Sequence, residues 1–567
     1  MRQRHWLFGV TILVVCCMLI LPNWSGDLSP KASRALASPP AVAAAGVTLD
    51  VPSPVYIGDT FTFTVSFDNT APNVAGNVGY GPFIDLVLPV NGADGAAGTS
   101  TPDGIDFSSA TYLGVAVTTY ELTFPAGTGC VAHPYAFDTT HTPLQVCGTP
   151  GDKLVVIVLP FGSFAPDQPA ADIEITAQVS NLADLDVPLP IRARGGFRYG
   201  NDALDNWCCD PVLLSQSSPN STTWSPSETV TPTLLTVTKT NDGPEGETAT
   251  GPNYPRTYTV TVDVANGQTL TNLNVTDYFD DNIVITGVSN FSPAGSVVSL
   301  GGAAPVYPYG PASTPNNTLV VNFPSITGTA SFDVEFYVPL NDAGAGAVLD
   351  AITGDDSVTE NRVAATASWT PLDGRDPLTP ITVNGTCPSC PPANTLADKS
   401  IATQKSVRVV TSPLRSGAIL EYTIEFQISD YFTFDDLILT DTFSDGQRFN
   451  AAFTPTISVT DRTETRSGSM SVLNPGTATC AAAGADNVIV DVSQIGNNPD
   501  PATDGSTTVT FCISEALLDL SAADGIVQGG RAVAPNAGAA TGTITFQTVV
   551  QDQFSDTYLS GDPSVPC

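Results

Sequence analysis

The clearest pattern in the chain is an alternation of apolar and polar residues, in short runs that turn residues separate. Apolar or aromatic residues occupy every second position from Tyr258 to Val264, and Thr60 to Phe67 and Gly328 to Leu340 alternate in the same way. A period of two predicts half-buried β-strands. Long runs with the 3.6-residue period of an amphipathic helix are nearly absent, so the pattern predicts an all-β protein.

One stretch, Leu234 to Ile285, provides the plan that the rest of the chain repeats. It begins with a β-branched strand carrying one lysine, Lys239, and its third strand ends in the Val-Thr-Asp of residues 275–277. When the stretch that begins domain three is aligned with this one, Lys405 corresponds to Lys239. The Leu-Thr-Asp of residues 439–441 then corresponds to the Val-Thr-Asp of residues 275–277. Repeats this far apart are domain repeats rather than turns of a solenoid.

Further strands are predicted in two of the domains that this repeat defines. They are Phe83 to Pro89, Thr111 to Leu122, Lys153 to Leu159 and Ile173 to Val179 in domain one, and Glu360 to Trp369 in domain two. The segment from Arg192 to Pro211 is less regular and is expected to close domain one.

A chain of 567 residues is too long for a single core. We expect tandem immunoglobulin-like β-sandwiches joined by Pro/Ser/Thr-rich linkers. The expected divisions are a signal peptide and small-residue leader (1–45), domain one (46–214), a linker (215–232), domain two (233–375), a linker containing CPSC (376–397) and domain three (398–567). Domain three lacks a counterpart of the strand at Glu360 to Trp369, so we expect it to be truncated, with an incomplete sandwich that has an exposed edge as the alternative.

The N-terminus has the pattern of a secretory signal. Arg2 and Arg4 precede an apolar run from Trp6 to Leu21, and Ala35-Leu36-Ala37 fits a cleavage site, with the Ala-rich stretch to Ala45 as an alternative. The run is short for a membrane span. Export is therefore expected, and an uncleaved signal anchor is the alternative that would attach the chain to a membrane.

The charge balance limits the partners that the chain can have. Acidic residues number 56 against 20 basic ones, giving a net charge of −36, which repels nucleic acid. Acidic clusters at Asp277, Asp280–Asp281 and 354–356 offer oxygen ligands to Ca²⁺, but turns at strand ends explain them equally well. No other cofactor and no defined metal site are expected.

Nine cysteines remain after signal removal, which suits disulfides in an exported protein. We expect Cys130 to pair with Cys147, and Cys480 with Cys512, since each pair lies within one domain. Cys387 and Cys390 form a local bridge or pair with Cys208 and Cys209, and Cys567 leaves the count odd.

No catalytic constellation is recognisable in the sequence. The motifs of serine hydrolases, P-loop proteins and zinc proteases are absent. Only His133 and His141 survive processing, and both are expected to be loop residues between Cys130 and Cys147. The chain is therefore predicted not to be an enzyme.

Domain two and the start of domain three resemble the conserved repeat domains of bacterial surface proteins, especially the isopeptide-forming fimbrial and adhesin-like type. The resemblance is carried by TVTKT, PEGETATGPNYPRTYTVTVDVANGQTLTNLNVTD and TENRVAATASW. It implies immunoglobulin-like sandwiches, and a covalent bond between a lysine on the first strand and an Asn or Asp on the last.

By this resemblance, Lys239 is the nucleophile, Asn361 the acceptor and Asp277 the acid. Glu360 is a second choice for the acid, although its neighbour Asn361 should face the other side of the strand. The chemistry requires burial, which lowers the pKa of an amine and raises that of an acid.

In domain three the resemblance offers Lys405 and Asp441 without a partner, with Lys399 as the rival lysine. Domain one has no first-strand lysine and is expected to form no such bond.

These expectations combine into a secreted or cell-surface protein, a stalk or matrix module whose partners are extracellular proteins or glycans. An extracellular binding module for glycan or protein ligands is the alternative, and a secreted enzyme is a distant third. An exposed aromatic cluster on one domain would favour the binding module.

Overall fold

The computed structural model shows an all-β chain, and the prediction of tandem immunoglobulin-like sandwiches is confirmed. The residues described are 42–74, 76–92, 102–203, 211–242, 247–279, 283–300, 317–341, 347–349, 357–371, 380–385, 395–443, 446–474, 478–482, 486–491, 507–521, 524–533 and 537–551. The signal segment and its cleavage sites lie outside them.

Domain one is formed by two main sheets that share an apolar core. Its longer strands are β1 (Ala45–Asp50), β2 (Thr60–Asn69), β3 (Pro82–Leu88), β4 (Ile105–Tyr112), β5 (Thr118–Thr123), β6 (Cys130–Phe137), β7 (Pro143–Cys147), β8 (Lys153–Val158), β9 (Ala171–Val179), β10 (Leu189–Phe197) and β11 (Ser227–Val230). One sheet has the order β1-β2-β9-β4, and the other has β10-β3-β8-β5 with β11 against β10. Strands β6 and β7 form a separate hairpin.

Domain two repeats the two-sheet plan. Its strands are β12 (Leu235–Asn241), β13 (Glu247–Ala249), β14 (Arg256–Val264), β15 (Leu270–Phe279), β16 (Val284–Ser292), β17 (Ser296–Leu300), β18 (Asn317–Ile326), β19 (Ala330–Tyr337), β20 (Ser357–Trp369), β21 (Ile381–Gly385) and β22 (Thr395–Lys399). The sheets are β12-β14-β19-β16 and β13-β22-β20-β15-β18-β17, with β21 also on β20.

Domain three is also built from two sheets. Its strands are β23 (Ile401–Val409), β24 (Ile419–Ile428), β25 (Ile438–Phe443), β26 (Gln447–Phe449), β27 (Thr456–Asp461), β28 (Glu464–Ser469), β29 (Val488–Asp491), β30 (Thr507–Cys512) and β31 (Ala540–Val550). The sheets are β23-β24-β31-β27-β28, with β26 on β31, and β25-β30-β29. Helices α1 (Ile513–Asp519) and α2 (Gly530–Val533) are short.

Short elements complete the description. They are the two-residue strands Val55–Tyr56, Gly79–Tyr80, Val115–Ala116, Ser163–Phe164, Leu213–Leu214, Pro232–Thr233, Thr433–Phe434, Val472–Leu473 and Val527–Gln528, and the 3-10 turns Ser221–Thr223 and Cys480–Ala482.

Two predictions for domain one were wrong. The predicted strand from Thr111 to Leu122 is interrupted at Leu113 and Gly114, which both have positive φ (50° and 77°) and turn the chain between β4 and β5. The segment from Arg192, expected to be irregular, begins inside β10, whose pairing with β3 buries Arg194.

The predicted linkers contain paired strands. Strand β11 lies within 215–232 and pairs with β10, while β21 and the start of β22 lie within 376–397 and pair with β20. Each linker thus contributes strands to the sandwich that precedes it.

Candidate cross-link site

The site in domain two begins with a lysine that faces the interior. Strand β12 alternates between buried and more exposed residues, with Leu235, Val237 and Lys239 on its buried side. The Lys239 side chain has no exposed surface. Its Nζ lies 4.1 Å from the centre of the Tyr258 ring and 4.5 Å from that of Phe279. The ammonium group thus lies against two aromatic rings of the core.

The partner of this lysine is a carboxylate from the opposite sheet. Asp277, on β15, is fully buried, and both of its carboxylate oxygens lie 2.6 Å from Lys239 Nζ. Strand β12 belongs to the four-stranded sheet and β15 to the larger one, so the contact crosses the centre of the sandwich.

The third predicted residue lies on the neighbouring strand. Strand β20 pairs antiparallel with β15, so that Asn361 faces Phe279 and Val363 faces Asp277. Residues two apart on a strand share a face, so Asn361 and Asp277 are diagonal neighbours on one side of the sheet. Asn361 is 1% exposed, and neither its Oδ1 nor its Nδ2 has a hydrogen-bond partner.

Burial sets the protonation of the pair. It lowers the pKa of Lys239 to about 8, although the Asp277 carboxylate opposes the change. It also raises the pKa of Asp277, opposed by Lys239 and by a backbone hydrogen bond from Tyr278. Both shifts favour the neutral forms of two side chains that lie in direct contact.

The structure therefore gathers the lysine, the acid and the asparagine at one buried place, from three strands. The side chain of Glu360, the second choice for the acid, lies outside the described residues. Reaction between the amine and the amide remains a prediction.

Domain three holds a related pair in a more open setting. Lys405 Nζ lies 2.7 Å from Asp441 Oδ1 and 4.4 Å from the centre of the Tyr422 ring. The side chains are 35% and 11% exposed, respectively. The rival Lys399 ends β22, which pairs with strands of domain two, so Lys405 is the lysine that contacts Asp441.

Domain one contains a buried polar cluster that sequence reasoning missed. Asp85 Oδ1 lies 2.7 Å from His133 Nε2, and Asp85 Oδ2 accepts a 2.7 Å hydrogen bond from Arg194 Nε. The prediction that His133 is a loop residue was wrong, because it lies in β6 and is 1% exposed. His141 does lie in a turn, stacked on Phe137. The sequence signal that could have revealed the cluster is the aspartate at position 85, inside the apolar run at 83–89.

The cluster is ionic in character. Burial alone would raise the pKa of Asp85, but its contacts with His133 and Arg194 outweigh burial and hold that pKa below its ordinary value. The Arg194 guanidinium also lies 4.1 Å from the centre of the Trp224 ring. Domain one has its own lysine, Lys153, on the outer side, bound to Asp106 and Glu121.

Both predicted disulfides are present. Cys130 and Cys147 face each other across the β6–β7 hairpin, and Cys480 is bonded to Cys512 at the end of β30. The remaining cysteines, at 208, 209, 387, 390 and 567, lie outside the described residues.

Within the described residues, no group of three or more acidic, His or Cys side chains is arranged to hold a metal. No helix in the described parts of the chain is long and apolar enough to cross a membrane. Of the acidic clusters named for Ca²⁺, Asp277 is bound to Lys239, and Asp280, Asp281 and 354–356 lie outside the described residues.

Comparison with known proteins adds similar structures but no sequence family. No family model matches the chain, and no curated protein matches its sequence. The C-terminal domain of the AgI/II polypeptide BspA of Streptococcus agalactiae is 10% identical over 63% of this chain and 99% of its own, with a TM-score of 0.18.

Two further similar structures are a pilin and an adhesin. The major pilin subunit BcpA of Bacillus cereus is 8% identical over 62% of this chain and 81% of its own, with a TM-score of 0.19. The collagen adhesin of S. aureus is 10% identical over 63% of this chain and 93% of its own, with a TM-score of 0.14. They belong to the class of proteins that the sequence resembles, but TM-scores this low carry no inference about function.

Proposed function

We propose that the chain is a secreted or cell-surface structural protein of the adhesin-like type, a stalk or matrix module, whose second domain is locked by an isopeptide bond between Lys239 and Asn361. The observation that carries the proposal is the buried contact between Lys239 and Asp277 beside an asparagine amide with no hydrogen-bond partner.

The reaction needs only the side chains present. The Lys239 proton moves to Asp277, which leaves a neutral amine next to a protonated acid. The amine attacks Cγ of Asn361, while the acid donates a hydrogen bond to the amide oxygen and stabilises the charge that develops there. The new Nζ–Cγ bond replaces the Cγ–Nδ2 bond, and ammonia leaves with the protons that balance the exchange.

A bond at this place suits a stalk. Lys239 lies on the first strand of domain two and Asn361 on a late strand of the opposite sheet, so the bond joins the two sheets through the core. Tension applied between the ends of the domain would then be carried by covalent bonds rather than by hydrogen-bonded strands.

The alternative of a glycan or protein-binding module receives no specific support. Among the described residues, the exposed aromatic side chains are Tyr120 and Tyr278, which belong to different domains and form no cluster. We therefore propose a structural role, with extracellular proteins or glycans as neighbours and no external substrate.

The test is mass spectrometry of the purified full chain, before and after proteolysis. We expect the intact mass to be lower by one ammonia, and a branched peptide joining Lys239 to Asn361. Asp277→Ala and Asn361→Ala should each abolish both signals. Lys405→Arg, which changes the equivalent lysine of domain three, is the matched control and should retain them. An unmodified mass for the wild-type chain would refute the bond.

A further inference from the structure

The end of β20 that carries Asn361 is held by strands that lead to domain three. Residues 357–360 of β20 pair antiparallel with β22, and from Asn361 onward β20 pairs with β15. Strand β13 pairs parallel with β22 on the side away from β20. Asn361 is thus the first residue of β20 that pairs with β15, and it directly follows the segment that β22 holds.

Both supporting strands continue into contacts with domain three. Only Ser400 separates β22 from β23, and its carbonyl accepts a 2.8 Å hydrogen bond from the amide of Ser429. Thr250 directly follows β13. Its Oγ1 lies 2.6 Å from Ser429 Oγ, and its carbonyl accepts a 2.7 Å hydrogen bond from the amide of Asp430. Residues 429 and 430, which follow β24, therefore hold the ends of β13 and β22 together.

The segment between β13 and β14 also packs against domain three. Tyr254 is 4% exposed and lies in a small apolar cluster with Ala249 of domain two and Ala402 of domain three. Its hydroxyl accepts a 2.5 Å hydrogen bond from the amide of Ala540, the first residue of β31, and donates one to the carbonyl of the same residue. The junction thus reaches the central strand of the larger sheet of domain three.

We propose that domain three is a positioning element of the cross-link site in domain two. Its docking on residues 250–254 fixes β22 and thereby places Asn361 beside Lys239 and Asp277. The proposal rests on the function proposed above and adds an order of events to it: domain three docks first, and the covalent bond closes afterwards.

Register is the physical link between docking and reaction. A strand is held in register by its paired neighbours, and a slip of one residue turns every side chain to the other face of the sheet. Among the described strands, β22 alone pairs with residues 357–360. Without the contacts that Ser400 and Thr250 make with domain three, β22 loses the anchor at its end, and Asn361 can shift relative to Lys239.

Such a shift affects the reaction more than the fold. Displacement of a reacting group by about 1 Å can slow a reaction by about 100-fold, because attack needs the two atoms aligned and in contact. The irreversible bond thus closes only in chains whose second and third domains are correctly docked.

Two glycines of the chain allow a matched test. Gly251 has a φ of +113°, and a Cβ added there would lie 2.2 Å from Cβ of Asp430. Gly417, in the turn between β23 and β24, has a φ of +78°, and no atom of the described residues lies within 4 Å of an added Cβ. Gly251→Ala and Gly417→Ala both place a side chain at positive φ, but only Gly251→Ala disturbs the junction.

The rate of bond formation is the first readout. The full chain is made in a cell-free system, translation is stopped, and samples are digested at intervals to quantify the Lys239–Asn361 branched peptide. We expect this peptide to accumulate about 100-fold more slowly in Gly251→Ala than in the wild type. Gly417→Ala should match the wild type. Equal rates in the two variants would overturn the proposal.

The second readout does not depend on the bond. In the Asn361→Ala background, where no bond can form, hydrogen exchange measures the protection of the amides at 357–365 of β20. Gly251→Ala should reduce this protection, and Gly417→Ala should leave it unchanged. A wild-type chain without the branched peptide refutes the bond, whereas unchanged protection in Gly251→Ala refutes the role of docking. The two proposals can therefore fail separately.

Discussion

An asparagine amide inside a sandwich, with neither polar atom hydrogen-bonded, costs about 1–3 kcal/mol for each unsatisfied group. Asn361 has this arrangement, beside a lysine and an aspartate that have also been removed from water. Apolar side chains of similar volume would stabilise the core at least as well as a buried ion pair. A reaction among the lysine, the aspartate and the asparagine would explain why these three residue types share a site where they do not favour stability.

The Asp85 cluster shows the opposite use of buried charge. Its carboxylate has a partner on each oxygen, His133 on Oδ1 and Arg194 on Oδ2. No amide lies among these partners, so the cluster fixes strands in place and has no acyl group to transfer. The cluster also attaches the β6 hairpin to the main sheet.

Replacement of Asp85 by Asn should destabilise domain one by about 3–5 kcal/mol at neutral pH, because Arg194 would remain buried without its counter-charge. The pKa of Asp85 is depressed in the fold, so its contribution is complete above the unfolded value near 3.9 and is lost as the pH falls through the lower folded value. The Asp85→Asn chain should therefore lose less stability on acidification than the wild type.

Hydrogen exchange of the amides in β3, followed from pH 7 to pH 2 with correction for intrinsic rates, measures this change. Asp172→Asn, which alters an exposed aspartate bonded to Ser66, is the control and should behave as the wild type does. Equal acid sensitivity of the Asp85→Asn chain and the wild type would contradict the assignment.

At the scale of strands, the alternation of apolar and polar residues predicted most of the strands. The others were missed because a turn or a buried charged residue interrupts the alternation. The alternating run at Tyr258 to Val264 lies within β14, as predicted, because one face of this strand is buried in the core and the other is partly exposed. The break at Leu113–Gly114 was hidden by apolar residues on both sides, although the glycine was a turn signal. Strand β10 was hidden by its arginines, because the sequence does not show that Arg194 is buried against the carboxylate of Asp85.

The site was predictable in residue type but not in geometry. Family resemblance named Lys239, Asp277 and Asn361, but their separations along the chain do not reveal which strands are neighbours. The register between β15 and β20 places Asn361 two residues from the position opposite Asp277. Pairing over such distances depends on the whole sheet and is not encoded by local pattern. The same limit hid the hydrogen-bonded role of His133.

A bond between β12 and β20 should raise the stability of domain two strongly. Closing the loop of 122 residues from 239 to 361 restricts the unfolded chain by about 5 kcal/mol, on the entropy estimate used for disulfides. Asn361→Ala should therefore lower the free energy of unfolding of domain two by about this amount. Urea unfolding, followed by hydrogen exchange in peptides of β14 and β15, provides the measurement.

Asn274→Ala is the control for that experiment. Asn274 lies on β15 outside the site, where its side chain bonds to Asn322, and its replacement leaves the cross-link chemistry intact. We expect only a small loss of stability for it. If both variants lost the same small amount, the strands could not be covalently joined in the wild type.

At the scale of the molecule, the carboxylate of Asp430 is one of several polar groups that link domains two and three. Asp430 accepts hydrogen bonds from Asn253 Nδ2 at 2.8 Å and from the Gly530 amide at 3.2 Å, and its own amide donates to Thr250 O at 2.7 Å. Gly251 is required beside it, since its φ is +113° and an added Cβ would lie 2.2 Å from Asp430 Cβ. The junction is thus closely packed and polar.

Asp430 should make this junction weaker as the pH rises from about 4 to about 6. Burial raises its pKa from 3.8 to about 6, against the hydrogen bonds from Asn253 and Gly530. Between these values the folded chain binds more protons than the unfolded one, so the free energy of opening falls with increasing pH and levels off above pH 6. Hydrogen exchange of the amides of Asn253 and Gly530, corrected for intrinsic rates, should show this decline.

Asp430→Asn should remove most of the slope, whereas Asp436→Asn, at an exposed position in the same domain, should keep it. Measurement must be resolved by peptide, because burial also raises the pKa of Asp152 in domain one to about 6. Protection at the junction that stays constant from pH 4 to pH 6 in the wild type would contradict the prediction. A decline confined to the junction would mean that the two domains are joined by a contact that loosens as the pH rises from about 4 to about 6, while the bond proposed within domain two stays closed.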